Sequence, residues 1–181
     1  MKTHVFDESK LRGDAGEALM LRTYPNQLKD ISDSKLNDFS CAGFTGHEIE
    51  HKTDYYRMHM TDNIFAERFS NDITWKDGGP WKALRNGASI FSYLFWHEGK
   101  LFLFNDIAAL IKRITYCLRT YDIDLVPVRN KNGWGGYYNT LGYKIPRHTI
   151  SDLCVQINIG DTLPLNDMLL KAFEVKEKDD D

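Results

Sequence analysis

Between Asp38 and Asp54 the chain concentrates the residue types that carry chemistry: an acid at Asp38, two glycines at Gly43 and Gly46, then His47-Glu48-Ile49-Glu50-His51-Lys52. Read as a β-strand, the alternation of side chains puts Glu48, Glu50 and Lys52 on one face and His47, Ile49 and His51 on the other. If Asp38 lies on the preceding strand of a hairpin, its carboxylate approaches that of Glu50. Two close carboxylates repel, which raises the pKa of one of them unless a cation sits between them. Mg²⁺ fits such a pair, because it takes oxygen ligands, keeps several waters and is held by one or two carboxylates plus a phosphate; Mn²⁺ shares that ligand preference. The Lys52 ammonium then orients a water or stabilises negative charge developing on phosphorus. This set of groups suits phosphodiester hydrolysis.

A second motif occupies the same residues. His47-Glu48-Ile49-Glu50-His51 satisfies the His-Glu-x-x-His pattern of zinc proteases, in which histidines one helical turn apart bind the metal and the glutamate is the general base. That chemistry needs a helix. The apolar residues Phe44, Ile49, Tyr55 and Tyr56 do not recur at helical spacing, and Gly43 and Gly46 weaken a helix start. His59 and Glu67 are the available third ligands, and neither has a diagnostic spacing.

At these positions the sequence resembles the PD-(D/E)XK nuclease superfamily, whose core is an acid on one strand, a short turn, and Glu-x-Lys on the next. Asp38 matches the first acid, Glu50 and Lys52 the Glu-x-Lys pair, and Glu17 the acid often found on the family's first helix. The run Thr61-Asp62-Asn63-Ile64-Phe65-Ala66-Glu67-Arg68 is similar to a strand of phage-encoded members, and Gly142-Tyr143-Lys144-Ile145-Pro146 to a closing strand of that group. Asn37 stands where many members have proline. The resemblance, over most of residues 10–146, implies a restriction-endonuclease-like core and a Mg²⁺- or Mn²⁺-dependent DNA nuclease. Asp38, Glu50 and the backbone carbonyl of His51 would hold the metal, Lys52 would position or activate the water, and Glu17 or Glu67 would complete the site. A binding module that keeps the fold without turnover, for nucleic acid or a host protein, is the alternative.

The elements that must position these groups follow from pattern. Residues 7–24 read as a first helix, capped by Asp7 or Ser9 and stopped at Pro25-Asn26. Short strands are expected at 27–31, 36–41, 45–53 and 63–69, separated by Asp/Ser/Asn and Gly clusters. Gly78-Gly79-Pro80 opens a helical turn over 81–86. The nearly continuous apolar run 88–96 predicts a central strand buried on both faces, turning into a partner at 101–104. Asn105 is expected to cap a helix to about Arg119. A strand at 124–128, a glycine-rich loop at 129–138 without phosphate-loop spacing, and a helix at 162–173 complete the chain. The result is a single α/β domain over 1–173, a central mixed sheet flanked by helices, with an acidic, disordered tail at 174–181.

Net charge is −3, but that tail holds five acids and two lysines, which leaves 21 charges of each sign in the body. A neutral body is compatible with DNA as partner through a local basic rim. Two rims stand out: Lys76, Lys82 and Arg85 beside Trp75 and Trp81, and Arg129, Lys131 and Lys144 near Trp134, Arg147 and His148. Cys41, Cys117 and Cys154 lack metal spacing and read as reduced thiols. No apolar run reaches the roughly 18 residues of a membrane helix, and the start does not read as a signal peptide. These features imply a cytoplasmic protein, in the host cytoplasm if phage-encoded. A homodimer is left open.

Overall fold

Alternation dictates the architecture. Ile90, Ser92 and Leu94 point to one side of their strand and Phe91, Tyr93 and Phe95 to the other, and all six are buried. Such a strand must be covered on both faces. The computed structural model describes residues 4–34, 36–55, 62–131 and 134–169. Within them the chain runs β1 (His4–Val5), α1 (Phe6–Thr23), β2 (Leu28–Asp30), β3 (Phe39–Cys41), β4 (Glu48–Asp54), β5 (Asn63–Asn71), β6 (Lys76–Asp77), α2 (Gly79–Arg85), β7 (Ile90–Phe95), β8 (Lys100–Phe104), α3 (Ile107–Thr120), β9 (Val126–Lys131), β10 (Tyr137–Pro146) and β11 (Val155–Asn158). Residues 165–169 are again helical.

These strands form a single α/β domain with two sheets. The first is six-stranded and mixed, in the order β11-β8-β7-β4-β3-β2; β4 and β7 are parallel, and every other pair is antiparallel. The second is five-stranded, β1-β9-β10-β5-β6. Parallel neighbours need a crossover, and the segment between β4 and β7 supplies it while also building β5, β6 and α2.

One face of the six-stranded sheet is sealed by Met20 of α1 and Tyr24 just after it, together with Leu163, Leu165, Met168 and Leu169, packed on Ile49, Ile90, Leu94, Leu101 and Leu103. The other face packs Phe91, Tyr93, Phe95, Phe102 and Phe104 against Ile107, Leu110 and Ile114 of α3, Ala83 of α2, and Ile64, Ala66 and Ile145 of the second sheet. The Tyr93 hydroxyl ties the sheets together, donating to Asp54 Oδ2 at 3.0 Å and accepting from the Phe65 N–H at 3.0 Å.

Five expectations need correction. Asp106, not Asn105, caps α3, its carboxylate accepting from the Ala109 N–H at 2.8 Å. The stretch 129–138 is not one open loop: Arg129–Lys131 and Tyr137 onward pair as β9 and β10. The edge strand β11 was not anticipated, because Val155-Gln156-Ile157-Asn158 is short and largely exposed. The strand expected from residue 36 begins at Phe39. Helix α1 begins at Phe6, ahead of the expected caps at Asp7 and Ser9; His59, the end of the last helix and the tail lie outside the described residues. Among the described residues no helix is long and apolar enough to cross a membrane.

Candidate functional site

The His-Glu-x-x-His segment is extended, with Glu48–Asp54 forming β4. Histidines four residues apart on a strand are separated by roughly 13 Å and cannot share a zinc ion as on a helix. The His51 ring is moreover consumed in the interior: Nδ1 pairs with Ser92 Oγ at 2.7 Å and Nε2 with Thr53 Oγ1 at 2.9 Å. Burial, with the Lys52 charge beside it, drives its pKa down to about 3, so the imidazole is neutral. It is not a side-chain ligand.

The same register builds a different site. Phe39 lies opposite Ile49 and Ser40 opposite Glu48. Just before β3 the Asp38 N–H donates to the Ile49 carbonyl at 3.1 Å, a bond one residue out of that register, and Asp38 Oδ2 accepts the His51 N–H at 2.6 Å. The Asp38 backbone and side chain thus bind the residues on either side of Glu50, and the Asp38 charge is felt by Glu50. The N–H and C=O of one residue point to the same edge of its strand, so the His51 carbonyl also faces this edge, where β3 has ended.

Glu50 is fully buried. Its Oε2 accepts from Lys82 Nζ at 2.6 Å, while Oε1 lies 3.7 Å from Lys52 Nζ and has no hydrogen-bond partner. Burial raises the Glu50 pKa; the ammonium of Lys52 opposes the rise, Asp38 adds to it, and Lys82 opposes it. Lys52 is held in its charged form. Glu67 above all, then Glu50, Asp38 and Glu17, hold its pKa above the ordinary lysine value despite burial, so it is an ammonium at neutral pH.

Glu17 approaches from α1, which comes close because Gly16 abuts β4: a Cβ there would run into Thr53 Oγ1. Burial first, then the charges of Asp38 and Asp14, raise Glu17 to about 7, and Lys52 pulls it down. Glu67 comes from β5, in the other sheet, its carboxylate against Gly78, where a Cβ would collide with Oε1. The structure thus gathers Asp38, Glu50, Lys52 and the His51 backbone, with Glu17 and Glu67 within their electrostatic reach. Among the described residues no three side chains of the metal-ligating types converge; the donors on offer are two carboxylates and a carbonyl.

The basic residues divide. Lys82 leaves the expected DNA rim and joins the site through Glu50. Arg85 is paired with Asp77 at 2.9 Å, and Asp77 also binds Arg68. Arg147 is buried between Asp62, at 2.6 Å, and Glu98, at 2.9 Å, and takes no part in a rim. Lys76, Arg129, Lys131 and Lys144 are exposed; Lys144 pairs with Phe65, toward the other end of β10 from Tyr137. Lys82 is the residue sequence reasoning misplaced. The usable signal was that an α2 side chain must face β4, given the crossover between β4 and β7.

No protein-family model, no curated protein and no solved structure matches this chain.

Proposed function

We propose that the protein is a metal-dependent nuclease that hydrolyses DNA phosphodiester bonds, as its resemblance to phage-encoded PD-(D/E)XK enzymes implies. One observation carries the reading: the carboxylate of Glu50, buried and within the electrostatic reach of Asp38, has one oxygen without a hydrogen-bond partner beside the Lys52 ammonium. A buried polar atom left unsatisfied is rare and costly, and a hard cation such as Mg²⁺ or Mn²⁺ is the partner this donor set fits. Asp38, Glu50 Oε1 and the His51 carbonyl would hold it. When bound, the ion supplies Lewis-acid stabilisation of charge on the phosphoryl oxygens and lowers the pKa of bound water.

The chain's own groups do the rest. Lys52, protonated at neutral pH, cannot accept a proton; it donates hydrogen bonds that orient the attacking water and offsets charge on phosphorus. The water oxygen bonds to phosphorus as the bond to the leaving oxygen breaks. Glu17, with a pKa of about 7, is suited to take the proton the water releases. Lys82 fixes the Glu50 carboxylate through Oε2 and leaves Oε1 turned toward Lys52.

The second reading, nucleic-acid binding without turnover, draws on the two ammonium groups that already compensate Glu50. One experiment decides between them. Plasmid, duplex, single-stranded and junction DNA are incubated with the protein in Mg²⁺, in Mn²⁺ and in EDTA. Metal-dependent cleavage that disappears in Glu50→Gln and Lys52→Met supports the nuclease; binding without cleavage in either metal supports the binding module.

A further inference from the structure

Two turns at one end of the five-stranded sheet present side chains that the fold itself does not bury. Asp72, after β5, and Asn139, in β10, lock together. The Asp72 N–H donates to the Asn139 carbonyl at 2.9 Å, the Asn139 N–H donates to Asp72 Oδ1 at 2.8 Å, and its side-chain amide donates to Oδ2 at 2.7 Å. These bonds place the turn between β5 and β6 beside the start of β10. Ile73 and Trp75 from that turn are 69% and 60% exposed; Trp134, just before β10, and Tyr137, its first residue, are 97% and 47% exposed.

The patch is built, not loose. Trp75 holds a left-handed backbone, φ 52°, which bulky residues seldom adopt, and its ring meets Phe69 edge-on at 5.1 Å. The Arg129 guanidinium lies over the Tyr137 ring, 4.0 Å from its centre. Lys76 follows Trp75 in the chain and Lys131 stands opposite Tyr137 in the β9–β10 ladder; both, like Arg129, are exposed. The nearby acids are already engaged, Asp72 by Asn139 and Asp77 by Arg68 and Arg85. Flat π-faces in a positive field match a polyanion whose bases are accessible. A regular duplex hides those faces, and a second copy of the chain would bring like charge against like.

We propose that this end of the sheet grips unpaired bases, so that the substrate is DNA with single-stranded or branched character; the proposal rests on the nuclease reading. Glu67 lies on the same strand four residues before Asn71, a span of roughly 13 Å along the backbone, so the patch and the Glu67 carboxylate share one sheet.

Fluorescence anisotropy with a dye-labelled single-stranded oligonucleotide and the matching perfect duplex tests this, in EDTA so that binding is read without cleavage. The wild type binds the single strand more tightly than the duplex. Trp75→Ala and Trp134→Ala each weaken single-strand binding about tenfold and leave duplex binding little changed, while Trp134→Phe retains it. Both side chains are exposed, so an unchanged thermal midpoint verifies folding. The proposal is overturned if the doubly substituted protein binds the single strand as the wild type does, or loses duplex binding equally. A wild type that binds both probes equally in EDTA and cuts duplex in Mg²⁺ sinks this inference alone. A wild type that binds neither probe in EDTA and cuts neither in Mg²⁺ or Mn²⁺ sinks the nuclease reading with it.

Discussion

Lys82 Nζ donates to Glu50 Oε2 at 2.6 Å, joining α2 to β4 across 32 positions of sequence. The bond divides the labour of one carboxylate: Oε2 is committed to the protein, and Oε1 is left open beside Lys52, 3.7 Å away. A carboxylate removed from water needs such compensation, since an isolated buried charge is far more costly than a paired one. The pairing also makes the crossover between β4 and β7 part of the site, because α2 exists only within it.

Replacing Lys82 by Met leaves Glu50 buried with Lys52 as its nearer cation. The expected loss is about 2–3 kcal/mol in urea unfolding near neutral pH, because breaking one side of a buried pair strands the other charge. The Glu50 carboxyl, already raised by burial, rises further. The penalty therefore belongs to the ionised form, and it shrinks as pH falls through the folded-state pKa and the carboxyl takes up a proton. Unfolding curves near pH 5 and near pH 8 check the sign; a larger penalty at the acid end would contradict the argument.

Glu48 and Glu50 are chemically identical and stand two positions apart, yet their surroundings differ. Glu48 Oε2 accepts from the Asn37 amide at 2.7 Å, a bond that holds the buried residue preceding Asp38. Glu48→Gln keeps an acceptor there and is expected to retain cleavage within about threefold. Glu50→Gln and Lys52→Met each lose about a hundredfold or more. Initial rates in Mg²⁺, together with calorimetric titration of Mn²⁺, separate these outcomes: metal binding survives in Glu48→Gln and is lost in Glu50→Gln. Equal damage at both positions would remove Glu50 from its special place.

Much of this arrangement was legible in the chain. Gly43 and Gly46, both with positive φ, mark the turn between β3 and β4, and the period-two pattern of residues 48–52 then fixes which side chains share a face. The run from Ile90 to Phe95 announced its own burial. What could not be read is contact between elements distant in sequence. Lys82, in a short basic helix, looks like solvated surface until the crossover folds it onto β4. Asp72 and Asn139 are ordinary turn residues until β10 pairs with β5. The stretch 129–138 has the same cause: its glycines and asparagines have turn propensity, and the strands form because β10 already has β5 as a template.

Glu17 gives the fold a pH dependence of its own. Its pKa rises from 4.5 to about 7 on folding, so between those values the folded state binds more protons than the unfolded chain. Stability with respect to this group is greatest below the unfolded value and falls as pH climbs through about 7. Glu17→Gln removes the penalty. It should be more stable than the wild type by about 1–2 kcal/mol near pH 8, a figure reduced for partial exposure, and indistinguishable near pH 4. Paired urea titrations test this. A substitution that stabilises equally at both ends would place the effect in helix propensity and not in charge.

The approach of α1 to β4 depends on a missing side chain. Gly16 is buried, and a Cβ built on it would overlap Thr53 Oγ1, which is itself bound to His51 Nε2. In an ordinary helix, alanine at an interior glycine adds up to about 1 kcal/mol of stability. Here the methyl must push α1 off the sheet or break the Thr53–His51 bond, so Gly16→Ala is expected to destabilise by about 1–3 kcal/mol. Moving the helix also draws Glu17 away from Asp38, so the same substitution should lower cleavage where Gly13→Ala, at a helix position with open space, does not. Thr53→Ala combined with Gly16→Ala removes the closest clash, with Oγ1, while Thr53 Cβ stays 2.7 Å away; the relief is partial, and the double-mutant cycle should still show a coupling of about 1 kcal/mol. Additive effects would mean that the helix does not rest on Thr53, and the route by which Glu17 reaches the carboxylates would have to be sought elsewhere.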